Sequence, residues 1–474
     1  MSPVAAATGP GPWSAPRLDL GPALGPPTGL GHARPGTADA MLTEVDGRTV
    51  AWFRVGEPGS RRDGAAEADV VERALAAGID LGIPVVGVVH SIGMGLDALD
   101  GLAGWGRVAR CAVRASGVVP VLVAVTGPCH GGLAPLLGLA DHVVVTRDAT
   151  AYINGPRAVA AVTGWHVDPV GLGGPSVHAT ASGLASFVAA DEDEALAVLA
   201  DLLGHLPDNW LAEPPMGRAG DPADRPCRAG RHVPSEPRRS YDVRTVLGEV
   251  LDRASLLEVR AHHAPNLVTA YGRVMGRSVA VVANQPAVRA GTIDIAASSK
   301  AARHVQGADA AGLPLLTFVD TPGFEPGRDL EWRGMIRHGA ELVHAYAAAT
   351  VPRICVVLRK AFGGAYIVMD SKSMGSDLVL AWPGAQIAVM GAAGAVEVLH
   401  RRDLAAAEDP GALRAELEAR YESTFLTPRL AADRGYVDEV IDPSTTRVRV
   451  AAALARLHTK QPRLVARKHS NTPL

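Results

Sequence analysis

Two stretches of this sequence repeat one pattern, GIPVVGVVHSIG (82–93) and GLPLLTFVDTPG (312–323). Each is followed by a helix-like run and then by a second apolar stretch that ends in a glycine pair, VVPVLVAVTGPCHGG (118–132) in the first half and VPRICVVLRKAFGG (351–364) in the second. The prolines of these stretches are 36 residues apart in the first half and 38 in the second, and the glycine pair follows after 11 residues in both. These matching distances predict an internal duplication.

The runs around these landmarks predict an α/β fold. VPVLVAV (119–125) and PRICVVL (352–358) are continuous apolar runs, which is typical of parallel strands buried on both faces. EDEALAVLADLL (192–203) and ALRAELEARYES (412–423) have the spacing of amphipathic surface helices. We therefore expect two similar layered α/β domains.

Composition sets the predicted domain boundaries. The start of the chain is rich in Gly and Pro, which predicts a flexible tail over 1–40. Residues 204–240 contain seven prolines and many charges, which is typical of a linker or a long excursion. The two domains are accordingly predicted over 41–203 and 241–474.

Charge and cysteine usage exclude several classes of protein. The net charge of the 474 residues is −3, which gives no reason to expect a nucleic-acid or membrane surface. The four cysteines are far apart and show no metal-ligand spacing, so neither a disulfide scaffold nor a metal site is expected. The uncharged stretch 387–396 is too short to span a bilayer, and the N-terminus lacks the pattern of a signal peptide. We expect a cytoplasmic protein.

The glycine turns TGPCHGGLA (126–134) and KAFGGAYIV (360–368) are candidate sites for chemistry. Glycine permits sharp turns and close approach of a ligand, and a following helix start offers unpaired N–H groups. Together these features suit a developing negative charge such as a thioester enolate, although tight packing alone also explains glycine in such places. Cys129 lies beside His130 in the sequence, so a role of its thiol as a nucleophile stays an open alternative. VDTPG (319–323) imitates a GTPase element, but the sequence has no phosphate-binding P-loop.

Residues 291–399 carry a resemblance to a known family. Its landmarks are VDTPGF (319–324), GMIRHGAEL (334–342), RKAFGGAY (359–366), AWP (381–383) and AVMGAAGAVE (388–397). The run closely resembles the carboxyltransferase β subunit of biotin-dependent acyl-CoA carboxylases, of the propionyl-/acetyl-CoA type. Weaker matches extend the resemblance over roughly 45–460.

The resemblance implies two duplicated crotonase-like (ClpP/crotonase) domains built as β-β-α spirals. It also implies that CO2 moves from carboxybiotin to the α-carbon of an acyl-CoA, assisted by two backbone oxyanion holes. By matching positions, one hole falls on Gly131 and Gly132 and the other on Gly364 and Ala365, with Gly363 beside the substrate. Which hole serves the thioester enolate and which the biotin ureido oxygen stays open.

The resemblance further implies partners. Biotin would be carried by a separate biotin carboxyl carrier and loaded by a biotin carboxylase subunit, because this chain has no biotin-attachment motif. The substrate would be an acyl-CoA or a carrier-bound acyl thioester, and no metal is expected. The family also implies a homo-oligomer, either a hexamer or a dimer.

Departures from the family concentrate in the first half. VVHSIGMGLDAL (88–99) replaces a glycine-rich run that ends in arginine. His130 stands where the family has a small residue, which predicts a narrower acyl pocket, and Ile367 stands where an aspartate is common, which favours an apolar acyl group. These departures leave two alternatives open. The first is a biotin-independent acyl-thioester enzyme for decarboxylation, hydrolysis or C–C bond formation, and the second is a non-catalytic subunit of a mixed carboxylase.

Overall fold

The structure is a computed structural model, and it describes residues 29–32, 38–56, 64–91, 99–217, 220–236, 239–460 and 465–473. The start of the predicted tail and most of the divergent run 88–99 lie outside these residues. The chain divides into two compact units, an N-terminal unit over Met1–Pro215 and a C-terminal unit over Met216–Leu474.

The described residues of the N-terminal unit form an eight-stranded sheet. Its strands are β1 (Gly29–His32), β2 (Ala38–Val45), β3 (Arg48–Val55), β4 (Val85–Ser91), β5 (Val121–His130), β6 (His142–Thr146), β7 (Thr150–Tyr152) and β8 (Phe187–Ala189). The strand order is β1-β2-β3-β4-β5-β6-β8, and β7 pairs with the end of β5. The pairs β1–β2 and β2–β3 are antiparallel, whereas all the others are parallel.

Within its described residues, the N-terminal unit has seven α-helices beside this sheet. They are α1 (Gly64–Leu81), α2 (Leu99–Ala115), α3 (Ala134–Leu139), α4 (Pro156–Thr163), α5 (Pro169–Gly173), α6 (Pro175–Thr180) and α7 (Glu192–His205). Apolar side chains of α1 and α2 share a buried core with β5, where the odd-numbered residues Val121, Val123 and Val125 face these helices.

The C-terminal unit repeats the same sheet. Its strands are β9 (Leu257–Val259), β10 (Leu267–Val274), β11 (Arg277–Asn284), β12 (Leu315–Thr321), β13 (Arg353–Phe362), β14 (Leu378–Ala381), β15 (Gln386–Ala388) and β16 (Glu439–Val440). The order is β9-β10-β11-β12-β13-β14-β16 with β15 on the end of β13, so each strand matches the one eight places earlier. The predicted α/β fold and its internal duplication are confirmed.

The part of the C-terminal unit that the structure describes also contains ten α-helices. They are α8 (Val243–Val250), α9 (Ile295–Ala310), α10 (Arg328–Trp332), α11 (Met335–Ala348), α12 (Gly363–Val368), α13 (Ala392–Leu399), α14 (Arg401–Ala406), α15 (Pro410–Phe425), α16 (Pro428–Asp433) and α17 (Thr446–Leu457). The surface helices predicted over 192–203 and 412–423 correspond to α7 and α15.

The structure shows paired or buried residues inside two segments that the sequence assigns to a tail and to a linker or excursion. Gly29–His32 and Ala38–Ala40 lie in the range assigned to a tail, but they form β1 and the start of β2 because they pair with neighbouring strands. In the predicted linker or excursion, Cys227 and Ala229 are buried in the core of the C-terminal unit. This part of 204–240 is therefore a packed excursion, while the domain limits at 203 and 241 stay predictions.

Candidate active site

The first glycine turn follows β5 directly. The strand ends at His130, Gly131–Leu133 form a 3-10 turn, and α3 begins at Ala134. Gly131 has φ +70°, a left-handed conformation that side chains disfavour. A Cβ at Gly132 would lie 2.7 Å from Cδ1 of Trp105 on α2. The first glycine is therefore required by its backbone angle and the second by the ring that packs against it.

The second glycine turn repeats this arrangement after β13. The strand ends at Phe362 and α12 begins at Gly363, which has φ +60°. A Cβ at Gly364 would lie 3.3 Å from Cε2 of Phe324, in the loop after β12. Both turns thus combine a left-handed glycine with a second glycine that lies beside an aromatic ring.

The groups in these turns that could take part in chemistry are backbone N–H donors. The first N–H groups of a helix have no carbonyl partner within that helix, and they carry a partial positive charge. Gly364 and Ala365 occupy such positions in α12, and Gly131 and Gly132 open the 3-10 turn before α3. Each turn therefore brings its own predicted hole residues together at the end of a buried parallel strand.

His130 is held by two neighbours on β7. Its Nε2 lies 3.1 Å from Oγ1 of Thr150, and its ring stacks on Tyr152 with centroids 3.9 Å apart and an interplanar angle of 15°. The pairing of β5 with β7 creates both contacts, since His130 is the register partner of Tyr152. The imidazole is consequently a fixed, half-buried wall beside Gly131.

The corresponding side chains of the second turn are apolar. Phe362 takes the place of His130 and is buried against Ala392 and Leu426. Ile367 on α12 exposes 48% of its surface, so an aliphatic group stands near the second turn and is open to contact.

Cys129 does not fit the role of a nucleophile. The side chain is fully buried, and burial raises the pKa of its thiol to about 12. The thiol therefore stays protonated near neutral pH, while a thiolate is what such chemistry needs.

The structure shows a buried polar network beside the second turn that the sequence analysis does not predict. The carboxylate of Asp320, at the end of β12, accepts hydrogen bonds from Tyr241, Arg359 and the backbone N–H of Lys360. An acidic residue at the end of a buried strand, Asp320 of VDTPG, could have indicated this network. Its partners were not predictable, because they are distant in sequence. No group of three or more potential metal ligands occurs among the described residues.

Within the described ranges, none of the helices combines the length and the apolar character that a bilayer crossing requires.

Comparison with known proteins places this geometry in a family. Residues 44–472 match the carboxyl transferase domain. The chain is 44% identical over 445 residues to the propionyl-CoA carboxylase carboxyltransferase subunit of Haloferax mediterranei, covering 92% of this chain and 86% of that one. It is 45% identical over 377 residues to the methylmalonyl-CoA carboxyltransferase 12S subunit of Propionibacterium freudenreichii subsp. shermanii, covering 80% and 72%.

A solved structure agrees with these relatives. The crystal structure of transcarboxylase 12S, a hexamer with methylmalonyl-coenzyme A and methylmalonic acid bound, superposes with a TM-score of 0.88 and 41% identity over 92% of this chain and 85% of that one. This chain therefore belongs to the carboxyl transferase family. The predicted family and its crotonase-like duplicated fold are confirmed.

Proposed function

We propose that this protein transfers a carboxyl group from carboxybiotin to the α-carbon of an acyl-CoA. The observation that carries the proposal is the paired turn: each unit of a carboxyl transferase chain ends its central strand in a left-handed glycine and a helix start. Carboxybiotin, on a separate carrier protein, supplies the carboxyl group when it is bound.

The chain's own contribution is to hold negative oxygen atoms. We assign one oxyanion hole to the N–H groups of Gly131 and Gly132 and the other to those of Gly364 and Ala365. A neutral ureido oxygen and a thioester enolate are both acceptors, so a set of backbone N–H donors fits either. Such donors are fixed before the reaction and cost no reorganisation, and removing one typically slows catalysis by about 10²–10³-fold.

Three side chains near the turns are assigned to substrate selection. His130 and Tyr152 form a rigid wall beside the first turn, and Ile367 adds an aliphatic surface beside the second. Gly363 has φ +60°, and a Cβ there would lie 3.1 Å from the carbonyl oxygen of Val389, so the turn needs glycine at this position, which we place beside the substrate. These features favour a short, apolar acyl group.

The proposed partners follow from the same chemistry. A biotin carboxyl carrier and a biotin carboxylase subunit would deliver the carboxyl group. The chain would work as a homo-oligomer, and a hexamer is what the name of the 12S crystal structure states for that protein.

A reconstituted transfer assay tests the proposal. The purified protein is mixed with a biotinylated carrier, its biotin carboxylase, ATP and labelled bicarbonate, and acyl-CoAs of increasing chain length are offered. We expect label in a carboxylated short acyl-CoA, dependent on every component. If the carrier is demonstrably carboxylated and no acyl thioester becomes labelled, the proposal is wrong.

The opposite direction is a second candidate function. The methylmalonyl-CoA carboxyltransferase relative is named for a substrate that already carries the carboxyl group. Labelled methylmalonyl-CoA with uncarboxylated biotin carrier tests this direction, since label must then appear on the carrier. Loss of the carboxyl group without any biotin present would instead support a biotin-independent enzyme.

A further inference from the structure

The buried carboxylate of Asp320 joins three segments of the C-terminal unit. Its Oδ2 accepts hydrogen bonds from the Tyr241 hydroxyl at 2.8 Å and from Nε of Arg359 at 3.0 Å. Its Oδ1 accepts from the backbone N–H of Lys360 at 3.1 Å. Asp320 exposes only 1% of its surface, so these donors replace the water that the carboxylate has lost.

Arg359 extends the network to the packed excursion. Its Nη1 donates to the carbonyl oxygens of Glu236 and Arg239 at 3.2 and 2.8 Å. The guanidinium also lies over the ring of Tyr241, with Cζ 5.2 Å from the ring centroid. The end of the excursion is thus fastened to β13 by an arginine that the carboxylate of Asp320 neutralises.

The network lies beside the two segments that support the second glycine turn, which are the end of β13 and the loop that carries Phe324. Lys360 precedes Gly363 by three residues on β13, so the bond to its N–H fixes the strand just before the turn. Asp320 precedes Phe324, whose ring packs against Gly364, by four residues. The backbone N–H of Asp320 in turn donates to Oδ1 of Asn284 at 3.2 Å on the neighbouring strand β11. One carboxylate therefore sets the position of the strand that leads into the turn and of the loop that supports it.

We propose that Asp320 is a positioning residue for the second glycine turn and that, through Arg359, it makes Glu236, Arg239 and Tyr241, around the end of the excursion, part of the support of that turn. The role rests on the proposed function, in which the N–H groups of Gly364 and Ala365 form an oxyanion hole. Asp320 acts through the backbone and does not touch the reacting atoms.

The chain offers a matched control for this position. Asp252 is also a buried acid of the C-terminal unit, and it also accepts a buried arginine, Arg447 at 2.7 Å, and the backbone N–H groups of Met275 and Gly276. Its network holds the hairpin between β10 and β11 rather than a glycine turn. Asp320→Asn and Asp252→Asn therefore remove comparable charges at sites that differ in what they support.

Two measurements test the proposal on the full-length chain. We expect Asp320→Asn to lower kcat by about tenfold or more with KM changed less than about twofold, because a small misplacement of an oxyanion hole weakens transition-state binding. Tyr241→Phe removes one donor and should give a smaller loss in the same direction, which keeps the test valid if Asp320→Asn folds poorly. Asp252→Asn should lower the unfolding midpoint with kcat within about twofold of the wild type.

Hydrogen–deuterium exchange over 360–368 provides a readout that needs no activity. Exchange there should accelerate in Asp320→Asn and Tyr241→Phe but not in Asp252→Asn. Unchanged exchange and unchanged kcat in both network variants, or equal kcat losses in Asp320→Asn and Asp252→Asn, would overturn the proposal. A wild-type protein without transfer activity would instead refute the proposed function, and the exchange result would still decide whether Asp320 holds the turn.

Discussion

The ends of β5 and β13 lead into the same kind of glycine turn but are held by different interactions. Counted back from the glycine pairs, Gly127 takes the place of Arg359, and the sheet register puts His90 in the place of Asp320. In the C-terminal unit these two positions form a buried ion pair. In the N-terminal unit the imidazole of His90 fills the space that a side chain at 127 would need.

The next position along the strand completes this contrast. Lys360 donates its backbone N–H to Asp320, whereas its counterpart Pro128 has no N–H to donate. The start of the strand differs in the same sense: Arg353 of β13 pairs with the buried Asp370 at 3.2 Å, and their counterparts are Val121 and Gly138. Duplication has kept the backbone, while at these matched positions the C-terminal copy has buried charges and the N-terminal copy has a packed ring.

This difference shows that the turn geometry does not depend on one set of supports. Buried ion pairs are sensitive to removal of one partner, because the remaining charge is left without compensation. Packed rings are sensitive to added volume, because a close-packed interior cannot accept another atom without moving. The two copies should therefore fail under different substitutions.

The largest expected effect tests the ring that supports the first turn. Gly132→Ala places a Cβ 2.7 Å from Trp105, so the turn must shift, and we expect kcat/KM in the transfer assay to fall by about 10²-fold. Gly364→Ala meets Phe324 at 3.3 Å and should lose less. Gly106→Ala on α2 is the control, since a Cβ there meets nothing within 4 Å. Equal activity in Gly132→Ala and Gly106→Ala would contradict the assignment of this turn.

A smaller effect is expected at the strand end that precedes the first turn. A Cβ at Gly127 would overlap the ring of His90, so Gly127→Ala should destabilise the folded protein by about 2 kcal/mol. Adding His90→Ala removes the ring and should recover most of the loss. Unfolding midpoints of both single variants and the double variant measure this coupling, and purely additive changes would show that the overlap is not what matters.

The last effect is a dependence of stability on pH, and it concerns the buried carboxyl group of Asp370, which pairs with Arg353 at the start of β13. Burial raises the pKa of Asp370 from 3.8 to about 7, against the opposing effect of Arg353 and Lys460 and together with the nearby Asp377. Between pH 4 and 7 the folded state therefore holds a proton that the unfolded state releases. Stability from this group falls as pH rises through that window, by at most about 1.4 kcal/mol per pH unit, and is level above pH 7.

Asp370→Asn should remove this slope. Urea midpoints of the wild type and the variant at pH 5, 6, 7 and 8 measure it, and the two curves should converge in shape above pH 7. Parallel curves from pH 5 to 7 would mean that Asp370 does not take up a proton on folding in this range.

The sequence predicted those features that depend on residues close together in the chain. Pro-bounded apolar runs and glycine pairs recur at fixed distances, so the duplicated α/β fold and both turns followed from spacing. The supports of the turns were not predictable in this way, because Tyr241, Asp320 and Arg359 come together only when the strands pair. The stack of His130 on Tyr152 was not predictable for the same reason. It forms because β7 pairs with the end of β5, and no local sequence pattern indicates that pairing.

The buried guanidinium of Arg447 has a consequence for how the chain is made. It donates to the carbonyl oxygens of Asp221 at 2.7 Å and Pro222 at 3.1 Å, and its partner Asp221 is 226 residues earlier in the sequence. At about 5–20 residues per second, a ribosome needs roughly 10–45 s to synthesise the chain between them. Throughout that interval the carbonyl groups of the early segment lack the N–H donors of Arg447, so final closure of the C-terminal unit cannot precede the synthesis of that residue.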